Sequence, residues 1–212
     1  MITLTVEAVL GVMLAVVLMQ FFKRHPQAPA ASSLPAEDLA NLKPQDARVG
    51  DAISISGVGD NMEDLDFTTD RNIDITAGSR QWFELSGPYK ERRVILRVGG
   101  DEEIEVAIHN DPRKITLEDL GLAEDDLATM DERQNTADSF DFDNKTWLYV
   151  ISREVQAQRS DRRQPEGFYY WEFRENGGTG ILGVRKAENE PFAVTLYNAI
   201  QPGDVTVYRG RA

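Results

Sequence analysis

The sequence predicts a mainly β fold: an antiparallel sandwich or partly open barrel with one or two short helices, preceded by an N-terminal transmembrane helix. Three observations predict it. Residues 8–22 carry no charge, apolar and polar residues alternate with period two from Val49 onward, and residues 81–110 align with residues 169–198 without a gap.

The uncharged run, extended by Ile2 to Val6, reaches about 21 apolar residues, or ~31 Å as a helix, enough to span a bilayer. Lys23 and Arg24 follow it and no basic residue precedes it, so residues 1–25 read as a single-pass anchor in the plasma (inner) membrane with the C-terminal domain cytoplasmic. A cleaved secretory signal is the competing reading, with Ala28-Pro29-Ala30 as its cleavage site. Glu7 shares a helical face with Gly11 and Ala15, where a second helix could approach, although a carboxylate sitting in the headgroup layer explains it more simply. Pro26, Pro29, Pro35 and Pro44 make residues 26–46 a flexible tether, and residues 47–212 form an acidic β-rich domain.

Within that domain the alternating runs are 52–56, 66–69, 72–76, 81–86, 93–98, 103–108, 146–153, 168–174, 180–185, 193–199 and 205–209, each bounded by Gly, Asn, Asp or Pro. Helical signal is confined to the middle. Thr116 and Asp119 can cap a turn that stops at Gly121, and residues 124–133 read as an acidic, exposed helix. The 88-residue offset places Phe83 with Trp171, Leu85 with Phe173, Leu96 with Val184 and Val106 with Val194, and it matches Glu84 with Glu172 and Arg97 with Arg185. Two similar meanders facing each other through these apolar residues would make the sandwich or barrel.

Composition removes several function classes. The chain has 36 Asp and Glu against 23 Lys and Arg, a net charge of -13, which leaves no basic excess for tracking nucleic-acid phosphates. Without cysteine there are no disulfides, thiol nucleophiles or thiolate-bound metals, and only His25 and His109 supply imidazole. The acidic run 60–66 and the group Asp138, Asp141 and Asp143 lack the order of an EF-hand loop and read as solvated loops, so neither a metal nor another cofactor is expected. Gly57-Val58-Gly59 lacks the third glycine of a dinucleotide fingerprint. Residues 176–180 read as a hairpin turn, and no G-x-S-x-G accompanies His109.

With the large apolar residues turned inward, strand parity places Trp82, Glu84, Arg97, Glu105 and His109 on the outward face of the first meander. Tyr170, Glu172, Arg185 and Tyr197 occupy that face of the second. Aromatic rings beside Arg and Glu suit a ligand or partner platform. The plainer reading is a solvated sheet face whose cross-strand pairs add roughly 0.2–1 kcal/mol each.

Val49-Gly50-Asp51 opening the first strand, Trp82-Phe83-Glu84-Leu85, the strand Val94 to Val98, and Phe192 with Pro202-x-x-Val205 together resemble the bacterial domain of unknown function 4178 family over roughly residues 45–209. The resemblance implies a β-rich bacterial module that accompanies membrane-associated proteins, and it transfers no catalytic or binding residue.

The sequence therefore favours a membrane-tethered, non-enzymatic scaffold that binds a protein partner or itself. The alternative is a small-molecule-binding or carboxylate-dependent enzyme domain at the inner leaflet. A concave apolar pocket with converging Glu84, Arg97 or His109 would favour the alternative, and a filled core the scaffold.

Overall fold

Period-two alternation does produce strands. The computed structural model describes residues 42–100 and 103–210, all within one compact unit, Leu39–Ala212. The expected anchor, and the tether up to residue 41, lie outside the described residues. Among the described residues no helix is long and apolar enough to cross a membrane.

In chain order the strands are β1 (Ala52–Ile55), β2 (Leu65–Thr68), β3 (Arg71–Ala77), β4 (Arg80–Tyr89), β5 (Arg92–Gly99), β6 (Glu105–His109), β7 (Ser139–Phe142), β8 (Lys145–Arg159), β9 (Glu166–Glu175), β10 (Gly180–Ala187), β11 (Ala193–Ile200) and β12 (Val205–Tyr208). Among the described residues one α-helix, α1 (Glu124–Arg133), lies between β6 and β7, over the same span the sequence predicts. The turn before it is closed reciprocally. The Thr116 amide donates to the Asp119 carboxylate at 2.8 Å, and the Asp119 amide donates to Thr116 Oγ1 at 3.2 Å. Of the strands, β7 was not expected. Its Ser-Phe-Asp-Phe alternation lies inside an acidic stretch, and Asp143 and Asn144, both at positive φ, turn it back into β8.

The architecture is a barrel closed on itself, neither a sandwich nor partly open. Antiparallel pairing runs β3-β4-β5-β6-β11-β10-β9-β8, and β8 returns to β3, with Ile75 opposite Ala157. β7 extends the sheet beyond β8, and a separate three-stranded sheet runs β12-β1-β2. The two expected meanders, β4-β5-β6 and β9-β10-β11, meet where Ala107 of β6 pairs with Ala199 of β11. The gap-free offset slips by one rung between them. Arg97 lies opposite Glu84 in the first meander, whereas Arg185 lies opposite Tyr170 and Glu172 opposite Gly183 in the second. A slip of two residues keeps parity, so every side chain stays on the same face.

The apolar alternates face outward from the barrel and are covered. Leu85, Val94, Leu96, Val98, Val106 and Ile108 pack under Ile53, Ile55, Leu65, Phe67, Val205 and Val207 of the three-stranded sheet. On the other half, Trp147, Tyr149, Trp171, Phe173, Leu182 and Val184 lie under Leu127 and Met130 of α1 and Ile115, Leu120 and Leu122 of the preceding segment. Each fully buried aliphatic or aromatic side chain contributes about 1.5–3 kcal/mol, so the two coverings carry most of the apolar stabilisation. Trp171 Nε1 donates to the Leu127 carbonyl at 3.1 Å, fixing α1 on its seat.

Position 106 provides the test of this arrangement, since Val106 is 1% exposed while Val194 is half-buried. Val106→Asp should destabilise the domain by about 3 kcal/mol or more through an unpaired buried charge, and Val194→Asp by clearly less. Denaturant melts of both variants check the order.

Candidate functional site

The face expected to meet solvent is the lumen of the barrel. Trp82 is 6% exposed, and Glu84, Arg97, Tyr170 and Glu172 are all buried. Parity sorted these residues together correctly, but the side assigned to them was wrong. A closed barrel has a second interior, and the outward apolar face finds its own cover. Arg185 lines the lumen with its side chain 20% exposed, and Glu105 and His109 are half-buried near opposite ends. An exposed platform on this face is therefore ruled out.

Inside, the charges pair across the two meanders. Arg97 Nη2 donates to Glu172 Oε2 at 2.7 Å and Nη1 to the Tyr170 hydroxyl at 3.0 Å, while that hydroxyl donates to the same carboxylate at 3.2 Å. Arg185 Nη2 bonds Glu84 Oε1, which also accepts from Tyr197 at 3.0 Å and from Trp82 Nε1 at 3.3 Å. The Glu of each meander thus holds the Arg of the other. Rings pack beside the charges. Arg97 lies 4.7 Å from the Trp82 ring centroid, Arg185 lies 5.2 Å from that of Phe168, and Trp82 and Tyr170 stand 5.5 Å apart. Gly183 admits this arrangement, because a Cβ there would sit 2.9 Å from the Tyr170 ring and hydroxyl.

The electrostatics follow from pairing in a buried interior. Burial would raise the Glu172 carboxyl, but Arg97, Arg174 and Arg80 outweigh it and hold the group at about 2. Burial likewise opposes ionisation of Glu84, yet Arg185 and Arg97 bring it below the usual carboxylate range. Tyr170 and Tyr197 are pushed up, chiefly by burial, and stay protonated. Arg97 and Arg185 are raised by Glu172 and Glu84 respectively, with the nearby tyrosines, despite the cost of burial.

Sequence reasoning missed Arg80, Arg153 and Arg174 at one end of the lumen. Arg174 binds both oxygens of Glu105 at 2.9 and 2.8 Å and Glu172 Oε1 at 3.0 Å. Parity would have found it, since it lies two residues from Glu172. His109 does not join the ionic group. Its Nδ1 lies 2.8 Å from the Leu196 carbonyl, and its ring packs edge-on to Tyr197 at 6.0 Å.

A second polar group lies outside the barrel, under α1. Asp131 Oδ1 accepts from Ser152 at 2.5 Å, Tyr169 at 2.7 Å and Gln134 at 3.0 Å, and Ser152 Oγ in turn accepts from the Tyr149 hydroxyl at 2.7 Å. Burial and Asp131 push the Tyr169 hydroxyl up to about 12. These bonds dock the helix. The acidic runs are occupied too: Asp60 takes Arg92 and Lys90, whose hydrogen bonds hold its carboxyl at about 2, and Asp143 takes Arg113. No group of three or more candidate metal ligands occurs among the described residues.

No family model, curated protein or solved structure matches the chain.

Two outcomes follow from the ion pairs. Because Glu172 has a depressed folded pKa, its stabilisation is fully present above about pH 5 and is lost as pH falls through the ordinary carboxylate range towards 2. The wild-type melting temperature should fall in that window, and Glu172→Gln should flatten the fall. At neutral pH, Glu172→Leu alone should cost about 3–5 kcal/mol by stranding Arg97. Adding Arg97→Met should recover most of that loss, which a double-mutant cycle by chemical denaturation measures.

Proposed function

We propose that the protein is a membrane-tethered, non-enzymatic scaffold whose barrel presents outer surfaces to a protein partner or to a second copy, with the anchor in the inner membrane and the barrel in the cytoplasm. The resemblance to the domain of unknown function 4178 family accords with this reading. The observation that carries it is the state of the lumen. The convergent Glu84, Arg97, Glu172 and Arg185 are spent on one another, and rings pack against them. An acid or base catalyst works best with a pKa near the working pH. Here Glu84 and Glu172 are driven down and Tyr170 and Tyr197 up, so these four groups are held away from proton exchange at neutral pH. The network supports a part that stiffens the barrel.

The test uses the full chain with the apolar pair Arg97→Met and Glu172→Leu in place of the ion pair. A scaffold working through its outer surface should recover the same membrane partner in an affinity pull-down as the wild type. Loss of that partner from a variant with a wild-type near-UV circular dichroism spectrum would place recognition in the lumen and overturn the reading. For orientation, a reporter that is active only in the cytoplasm, fused after Ala212, should be active. Activity of a periplasm-specific reporter there would reverse the assignment.

A further inference from the structure

The pairing of Arg185 with Glu84 leaves part of the arginine unused. Among the described residues every hydrogen bond of Arg185 leaves from Nη2, to Glu84 Oε1 and, at 3.4 Å, to the Tyr197 hydroxyl. Its Nε is buried with no acceptor among those residues. A guanidinium has five N–H groups to place, and buried donors in folded proteins almost always find a partner. The side chain is 20% exposed, so it also stands at the edge of the lumen and not deep within it.

Arg185 lines a cavity of about 430 Å³, and the ladder puts that cavity at a mouth of the barrel. Ile73 lies opposite Arg159 across β3 and β8, and Ala187 lies opposite Phe168 across β10 and β9, two residues nearer the mouth than Arg185 and Tyr170. Ile73, Ala157, Phe168, Ala187 and Ala193 supply apolar walls. Ile73, Phe168 and Ala187 are only half-buried, whereas Ile75, further in, is 1% exposed. The Phe168 ring centroid is 5.2 Å from the Arg185 guanidinium, so the apolar wall and the cation adjoin. The other two arginines of the cavity are engaged, Arg159 with Asp161 at 2.9 and 2.8 Å and Arg162 with Glu166. Exposed Glu188 and Glu190 line the cavity too, and they disfavour an anion of more than one charge. A concave barrel mouth with apolar walls and one convergent charge is the usual form of a small-molecule site, and a carboxylate is the singly charged partner that a guanidinium fork matches.

We propose that this mouth of the barrel binds a small monocarboxylate with an apolar body, the carboxylate on Arg185 and the body against Phe168 and Ile73. The site is independent of the scaffold reading, because a ligand held inside the mouth leaves the outer surfaces unchanged. Benzoate titrated into the full chain in detergent at neutral pH, with the heat into protein-free micelles subtracted, should give saturable binding by calorimetry and a rise in melting temperature. Benzamide, which keeps the ring and loses the charge, should bind at least tenfold more weakly, and inorganic phosphate at equal ionic strength should not displace benzoate. Arg185→Lys keeps a cation for Glu84 but loses the planar fork, and it should weaken benzoate at least tenfold. Ala193 is exposed and lies directly opposite Arg185 on β11, so Ala193→Trp should fill the cavity while removing neither charge of the ion pair. It should weaken benzoate at least tenfold as well, and it keeps the test decisive if Arg185→Lys does not fold. Absence of saturable binding to the wild type, equal affinity for benzamide, displacement by phosphate, or wild-type affinity in a folded Ala193→Trp would each overturn the proposal.

Discussion

Two carboxylates cannot enter a barrel lumen as ions unless cations enter with them, and that constraint organises the interior. Taking an unpaired carboxylate out of water costs many times the few kcal/mol that usually separate folded from unfolded chains. Glu84 and Glu172 are charged in the lumen because Arg185 and Arg97 reach them from the other meander. The crossed pairs require both meanders to close in one register. A slip by one residue would turn the Glu and Arg side chains outward and bring the apolar alternates in.

The polarity of this barrel follows from where its apolar residues find cover. The outward face of one half lies under β12-β1-β2, and that of the other under α1 and the segment before it. The barrel wall is therefore a shared layer, with hydrocarbon packing outside and ionic and aromatic packing inside. The inner packing does contain apolar parts, Ile75, Val155 and Ala157 beside Trp82 and Tyr170, and Ile181 and Ala107 beside Tyr197. They lower the polarity around the ion pairs, which strengthens the attraction within them.

Most elements were legible because alternation is a local property. Eleven of the twelve strands and the helix at 124–133 stand where periodicity and capping residues put them. The common face of Trp82, Glu84, Arg97, Tyr170 and Glu172 was legible for the same reason. Which side that face would take was not, since period two distinguishes the faces without saying which one is enclosed. The usual assumption that large apolar residues point to the centre does not hold here, because covering elements from outside the repeat, β1, β2, β12 and α1, bury those residues instead. Barrel closure was also invisible, as it depends on β3 meeting β8 across the whole first meander. The part of β8 that makes this contact, residues 156–159, extends past the predicted strand end at 153.

Among the described residues the three-stranded sheet places β12, near the end of the chain, at its edge beside β1, near the start of those residues, with Ala52 opposite Tyr208 and Ile55 opposite Val205. That pairing has a kinetic meaning. During synthesis Ile53, Ile55, Leu65 and Phe67 emerge early, yet the strand that completes their sheet arrives only after both meanders have been made. Contacts so distant in sequence are slow to form, because the loop-closure entropy is spent before the contacts repay it. The clasp between the two ends of the domain is thus the last of these pairings that synthesis makes available. Until it closes, the apolar cover over Leu85, Leu96 and Ile108 is incomplete, and exposed apolar surface of this kind favours aggregation.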